Sequence, residues 1–282
     1  MGKNLENRYH PENIEGIPEK FCKNLNFLFT DIDDTITTNG LLDSNAFYAV
    51  WKMFKEGINV VPVTGRPAGW CDHIARMWPV DAVVGENGAL YFRYDDAARR
   101  MHRRYWKDAE TRAADRARLA ALEVEILAAV PGAAISADQP YREADLAIDY
   151  CEDIPPLPRA AVERIVAIFE AAGAKAKVSS IHVNGWFGDY DKLAMTRVLF
   201  AECFDADLDR VRERVVFAGD SPNDAPMFGY FPNAVGVANL RDFAGRIAAE
   251  PAWITERPGG HGFAELTEAL IAARAATATE GK

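Results

Sequence analysis

Three carboxylates crowd the end of an apolar run in Phe27-Leu28-Phe29-Thr30-Asp31-Ile32-Asp33-Asp34-Thr35. A buried strand does not normally end this way, because each charge must be paired, solvated or bound to a cation. Asp31 and Asp33 stand two apart, so while the chain stays extended they point to the same side. Like-charged oxygens side by side call for a metal ion, a shared proton, or both, with a capped turn as the structural alternative. Two more apolar runs end in related chemistry. Ile58–Val63 leads into Thr64-Gly65-Arg66, and Val215–Ala218 leads into Gly219-Asp220-Ser221-Pro222-Asn223-Asp224. Carboxylates with a hydroxyl and an amine make a poor site for an organic acid. They suit a divalent cation bound to a phosphate, since Mg²⁺ takes hard oxygens from carboxylates, a phosphate and waters. Thr64 offers a hydrogen bond to a phosphoryl oxygen. Lys192, near the start of a later helix, offers the remaining positive charge.

The elements that must position these residues follow an α/β rhythm. Asn45–Lys55 has helical spacing and Gly57 ends it. A strand over Ile58–Val63, a helix over Pro67–Met77 and a short strand over Asp81–Val84 follow. Such alternation predicts a doubly wound parallel sheet, in which ligands bind beyond the carboxyl ends of the strands. The texture changes after Asn87. Ala89–Tyr94 and Met101–Trp106 read as a strand pair, and Ala109–Ala129 as a helix. Ala144–Tyr150 alternates as a half-exposed strand, Arg159–Ala172 is a helix, and Ala174–Asn184 holds one or two strands. This block predicts an α+β domain with an antiparallel sheet, inserted over 89–186 into a core of 25–88 and 187–275. The α/β pattern returns with a helix from Asp189 to Phe204. Strands follow over Arg214–Ala218, Asn233–Val237 and Ala252–Thr255, then a closing helix over Phe263–Arg274. Residues 1–24 read as a loose or draped extension, and the tail after Ala275 as frayed.

Bulk properties narrow the function classes. The chain has 282 residues, 49% of them hydrophobic, enough for one large or two smaller domains. A formal net charge of −10 argues against a nucleic-acid surface, which needs clustered Lys and Arg. The basic run Arg99–Arg104 reads as a solvated edge. Cys22, Cys71, Cys151 and Cys203 are scattered with no C-x-x-C pair, so neither zinc nor a disulfide framework is expected. Cys203 reads as a small buried hydrophobe in an apolar helix. No apolar leader or membrane-spanning stretch is evident, so a cytoplasmic protein without a membrane partner is expected. The sequence carries no signature of oligomeric state.

With its strand-end motifs in this order, the chain resembles the haloacid dehalogenase (HAD) superfamily. The motifs are Asp31–Thr35 (DIDDT), the apolar strand ending in Thr64, Lys192, and Gly219–Asp224 (GDSPND). An extra domain between the second and third motifs resembles the type IIB, or Cof-like, subfamily. So do Glu86-Asn87-Gly88-Ala89 and Gly188–Lys192. The resemblance covers roughly residues 25–272. It implies a Rossmann-like HAD core with an inserted α+β cap, a Mg²⁺ cofactor and a small phosphate ester as partner. It further implies that Asp31 is a nucleophile forming an aspartyl-phosphate, and that Asp33 is the general acid and then the base. Thr64, Gly65, Arg66 and Lys192 would hold substrate. Asp31, the Asp33 carbonyl and Asp220 would bind the metal. Asp224 with Asn223 would orient Lys192 or the metal shell.

Asp33 favours a phosphatase or phosphomutase over a dehalogenase, because an alkoxide needs a proton to leave and a halide does not. Asp34 stands where the family most often has Gly, and reads as a loop carboxylate capping a turn, with adjustment of metal affinity as the functional alternative. Cap candidates for substrate contact are Arg142, Glu143, His182 and Asn184. Each has a packing alternative, and for His182 that is a solvent-facing place on an alternating strand. Gly259-Gly260-His261-Gly262 either borders the crevice or is a flexible start to the last helix. The expected activity is hydrolysis of a phosphorylated metabolite, a sugar phosphate above all. A sugar phosphomutase and a non-catalytic metabolite-binding protein on the same scaffold are the alternatives. A large cap would obstruct a folded protein substrate.

Overall fold

Phe27–Thr30, Val215–Gly219 and Ala234–Gly236 carry almost no polar side chain, as strands covered on both faces must. A computed structural model describes residues 11–279, with side chains through 275. In chain order its helices and strands are β1 (Glu12–Asn13), α1 (Glu19–Lys23), β2 (Phe27–Thr30), β3 (Thr37–Thr38), β4 (Leu41–Leu42), α2 (Ser44–Lys55), β5 (Asn59–Pro62), α3 (Ala68–Met77), β6 (Val83–Gly85), β7 (Leu90–Asp95), β8 (Arg100–Tyr105), α4 (Ala109–Ala129), β9 (Ala134–Ile135), β10 (Leu146–Asp149), α5 (Arg159–Ala171), β11 (Lys175–Val178), β12 (His182–Trp186), α6 (Lys192–Phe204), α7 (Leu208–Val211), β13 (Val215–Gly219), α8 (Ala225–Tyr230), β14 (Ala234–Gly236), β15 (Trp253–Ile254) and α9 (Gly259–Thr279). The chain divides into two units, Met1–Val60 with Leu208–Lys282, and Val61–Asp207. The α+β block expected over 89–186 lies inside the second.

The first unit is built on the parallel sheet β1-β15-β14-β13-β2-β5, whose last strand runs on into the second unit. The α/β class expected from sequence is the one found. β13 pairs with β2 from Val215–Phe27 through Ala218–Thr30. That register sets Asp31 and the Gly219–Asp220 turn at the same end of adjacent strands. Leu28, Phe29, Val216 and Phe217 are fully buried. Phe231 packs between the rings of Phe29 (5.8 Å) and Phe217 (6.4 Å).

At the termini one expectation is narrowed and one fails. Residues 1–10 lie outside the described part, while 11–24 are draped on the first unit rather than loose. β1 adds a parallel edge strand beside β15, and Ile14 and Cys22 are fully buried. The apolar residues there are few and set among polar ones, so no period reveals them. At the other end α9 starts at Gly259 and runs through Thr279, beyond the expected fraying point. Its Ala-rich tail has the propensity to continue. Its glycines are not flexible spacers either. A Cβ on Gly260 would fall 2.5 Å from the Ile36 carbonyl oxygen. The first donors of the helix are taken by Asn239 Oδ1 (from Gly259 N, 2.9 Å) and Thr38 Oγ1 (from Gly260 N, 3.0 Å).

In the second unit β6-β7-β8 form one antiparallel sheet and β11-β12-β10-β9 another. Leu119, Leu122 and Ile126 of α4 and Ile165, Ile168 and Phe169 of α5 pack with Leu146, Ile148 and Val183 of the four-stranded sheet. The Phe169 ring lies on bare backbone, 2.1 Å from where a Gly185 Cβ would stand. β10 is buried on both faces, contrary to its alternating pattern. Its polar residues are consumed internally. Asp149 accepts from the N–H groups of Cys151, Glu152 and Asp153 at 2.8–2.9 Å. The exposed β8 carries the Arg99–Arg104 run as a solvated edge, with Arg103 paired to Asp72 and Arg104 to Glu202. None of the four cysteines is joined in a disulfide; Cys203 is half-buried rather than in the core.

Candidate active site

In the first unit Asp31, Asp220 and Asp224 are all buried, and each offers an oxygen within 4.8 Å of the other two. Backbone geometry fixes them. Asp31 N donates to the Ala218 carbonyl (2.9 Å), continuing the strand pairing, while Asp31 Oδ1 accepts from Ile32 N (2.9 Å). Asp224 closes the Ser221–Asp224 turn as a capping box, and its Oδ2 accepts from Asp220 N at 3.1 Å. Ser221 Oγ donates to Asn223 Oδ1 (2.7 Å). Asp220 accepts from Thr35 Oγ1 at 3.2 Å and from Asn239 Nδ2 at 3.4 Å. Asp224 thus holds the loop that presents Asp220. Three hard anionic oxygens in so small a buried volume fit a divalent cation such as Mg²⁺, which would offset their mutual repulsion.

Asp33 is half-buried at the same loop. Asp34 has φ +53°, a left-handed conformation that Gly adopts freely and Asp tolerates. Its backbone N–H donates to Thr37 Oγ1 (2.9 Å) and its carbonyl accepts from Asn239 Nδ2 (3.1 Å). The turn is therefore closed by Thr37 and Asn239 through the backbone of Asp34, not by its carboxylate. Asn239 has no signature in sequence; it sits on a short 3-10 helix, Ala238–Phe243, after β14.

The second unit holds Thr64, Gly65, Arg66 and Lys192. Thr64 N donates to the Val84 carbonyl (2.9 Å), and Thr64 Oγ1 accepts from Arg66 N (3.0 Å). Lys192 is buried as the first residue of α6, whose N-cap Asp191 accepts from Ala194 N at 2.8 Å. The turn Glu86–Gly88 lies against both, as Asn87 N donates to the Thr64 carbonyl and bare Gly88 faces the backbone of Asp191 and Lys192.

Arg66 is buried, stacked 4.4 Å over the Trp70 ring, and paired with Glu152 (2.8 Å) and Asp138 (3.4 Å). Burial alone would raise the Glu152 carboxyl, but hydrogen bonds from His182 and Arg66 outweigh it and hold it down at about 2. His182 is not at the surface; its Nε2 lies 2.8 Å from Glu152 Oε2, and the residue is 2% exposed. Arg142 is buried between Asp138 and Asp145 and donates to the Gly65 carbonyl at 2.8 Å. Asn184 donates to Asp145 Oδ2 at 3.0 Å. The Glu143 side chain faces Arg112 and Arg116 at 3.8–3.9 Å. Glu86, Asp138 and Glu152 carry this network and were not singled out as site residues by sequence. Glu86 does share the signal that exposed Asp31, an acid directly after an apolar strand.

Residues 28–113 match the family profile described as haloacid dehalogenase-like hydrolase. That stretch is similar to the haloacid dehalogenase-like hydrolases. Solved structures with the HAD fold align over most of the chain. The sucrose-phosphatase of Synechocystis, in complex with sucrose and phosphate, aligns at 13% identity with a TM-score of 0.60, over 87% of this chain and 98% of its own. A trehalose-6-phosphate phosphatase related protein aligns at 15% with a TM-score of 0.57, covering 90% of this chain and 99% of that one. A haloacid dehalogenase-like hydrolase from Bacteroides thetaiotaomicron aligns at 15% and 0.57, covering 86% and 98%. At such identities the likeness establishes the HAD fold. No curated protein matches the sequence. Among the described residues no helix is long and apolar enough to cross a membrane.

Proposed function

We propose that the chain is a Mg²⁺-dependent phosphomonoesterase acting on a small phosphorylated metabolite. The observation that carries the reading is the buried cluster of Asp31, Asp220 and Asp224, placed by strand register at the carboxyl end of a parallel sheet. Asp31 and Asp220, with the Asp33 carbonyl, would hold Mg²⁺. When bound, the ion supplies positive charge against the phosphoryl oxygens and the nucleophile.

The Asp31 carboxylate attacks phosphorus, the ester P–O bond breaks, and an aspartyl-phosphate forms. Asp33 gives its proton to the departing alkoxide, then takes one from the water that attacks the acyl phosphate. Inorganic phosphate leaves and Asp31 is regenerated. Thr64, Gly65 and Lys192 hold the phosphoryl oxygens, with Arg66 beside them. Asn223 and Asp224 keep the Asp220 loop in place. In this reading residues 25–88 and 187–275 are the catalytic core and 89–186 a cap that supplies substrate contacts. Sugar phosphates are the favoured class, because fold relatives include a sucrose-phosphatase and a trehalose-6-phosphate phosphatase related protein.

Phosphate release over a panel of sugar, nucleotide and cofactor monophosphates with Mg²⁺ tests this. Turnover that EDTA abolishes is expected. Failure to hydrolyse any ester, with folded protein and metal present, defeats the proposal. Interconversion of hexose phosphates after bisphosphate priming would replace it with the mutase.

A further inference from the structure

Glu86, Asn87 and Gly88 have positive φ in succession, +45°, +54° and +104°. Only glycine adopts that region without cost, and a glutamate there is uncommon. Asn87 Nδ2 is also buried and finds no acceptor among the described residues. Such a turn persists where its surroundings over-determine it.

Those surroundings are the groups assigned to the phosphoryl oxygens. On one side Asn87 N donates to the Thr64 carbonyl and Glu86 N to the Arg66 carbonyl, both at 3.1 Å. The Asn87 amide lies over Gly65, its Nδ2 and Oδ1 3.2 and 3.3 Å from where a Gly65 Cβ would stand. On the other side a Cβ on Gly88 would fall 2.0 Å from the Asp191 carbonyl oxygen and 3.0 Å from Lys192 N. A three-residue turn is therefore the spacer between Thr64–Gly65 and the start of α6.

The Glu86 side chain anchors that spacer. It is fully buried, and both carboxylate oxygens are used twice. Oε1 accepts from Ala68 N (2.9 Å) and Glu143 N (2.8 Å). Oε2 accepts from Ala144 N (2.6 Å) and Asp145 N (3.2 Å). The donors belong to the first turn of α3 and to the segment entering β10, so one carboxylate ties both to the turn.

We propose that Glu86 is a positioning residue for phosphoryl binding, fixing the separation of Thr64 and Lys192 through the Glu86–Gly88 turn. The inference rests on the phosphatase reading, in which those two residues hold the phosphoryl oxygens. Glu86 itself touches no reacting atom. A glutamine cannot replace it, since its NH₂ end would meet two N–H donors.

Inorganic phosphate is the probe, titrated calorimetrically with Mg²⁺ into wild type, Glu86→Gln and Glu86→Asp, beside Mg²⁺ titrated alone. Glu86→Gln is expected to weaken phosphate binding at least tenfold and to raise KM in step, with Mg²⁺ affinity within twofold of wild type. Glu86→Asp, which keeps the charge but draws it back, should fall between; it decides by the same comparison if Glu86→Gln does not fold. Phosphate binding within twofold of wild type in the folded variant overturns the role. So does an equal loss of phosphate and Mg²⁺ affinity, which would mark a global defect. A wild type that binds Mg²⁺ but no phosphate defeats the phosphatase reading instead.

Discussion

Asp34 shows how position and side chain separate at the scale of one residue. Its left-handed backbone is required by the turn, while its carboxylate is assigned no chemistry. Asp34→Gly should therefore keep activity and stay within about 1 kcal/mol of wild-type stability, relief of strain offsetting the flexibility gained by the unfolded chain. Asp34→Val should lose about 1–2 kcal/mol, because a β-branched side chain resists positive φ. Urea midpoints read both, and a large loss of turnover in Asp34→Gly would return the carboxylate to the mechanism. Asp33→Asn should leave Mg²⁺ binding intact and slow ester cleavage by about 10²–10⁴-fold. Equal rates in variant and parent would remove Asp33 from the acid role. These acids were legible in sequence because charge at the end of an apolar strand has few structural explanations. Glu86 was harder to read. Its partners are the backbone N–H groups of Ala68 and of residues 143–145, which leave no side-chain signature.

At the scale of elements, long-range pairing decides what periodicity cannot. β1 could not be read because its partner, β15, is 241 positions away at Glu12–Trp253. The strand-turn-helix units around Asp31, Thr64 and Asp220 are local, and their composition announced them. The α9 start depends on close approach, so Gly260→Ala should destabilise by about 1–3 kcal/mol through collision with the Ile36 carbonyl. An unchanged thermal midpoint would mean that the loop yields at no cost. The Arg66–Glu152–His182 cluster makes a pH prediction. The Glu152 carboxyl is held down at about 2, below its ordinary 4.5. Its contribution to stability is thus present above about pH 4.5 and lost as pH falls towards 2. Glu152→Gln should flatten that acid limb in a urea titration; an identical slope in variant and wild type would show that the pair gives nothing.

For the whole molecule, the cluster of Asp31, Asp220 and Asp224 predicts coupling between metal and fold. Mg²⁺ at about 100 times its Kd should add about 2.7 kcal/mol of stability, read as a raised thermal midpoint. Asp220→Asn should abolish that rise. An unchanged midpoint in the wild type would mean that the carboxylates serve some other cation or a shared proton. The most direct test is phosphate release from sugar monophosphates in saturating Mg²⁺ by wild type and Asp31→Asn. The account predicts turnover by the wild type, none by Asp31→Asn, and an acid-stable trace of phosphorylated protein only where Asp31 is intact. Turnover by Asp31→Asn at the wild-type rate would contradict it.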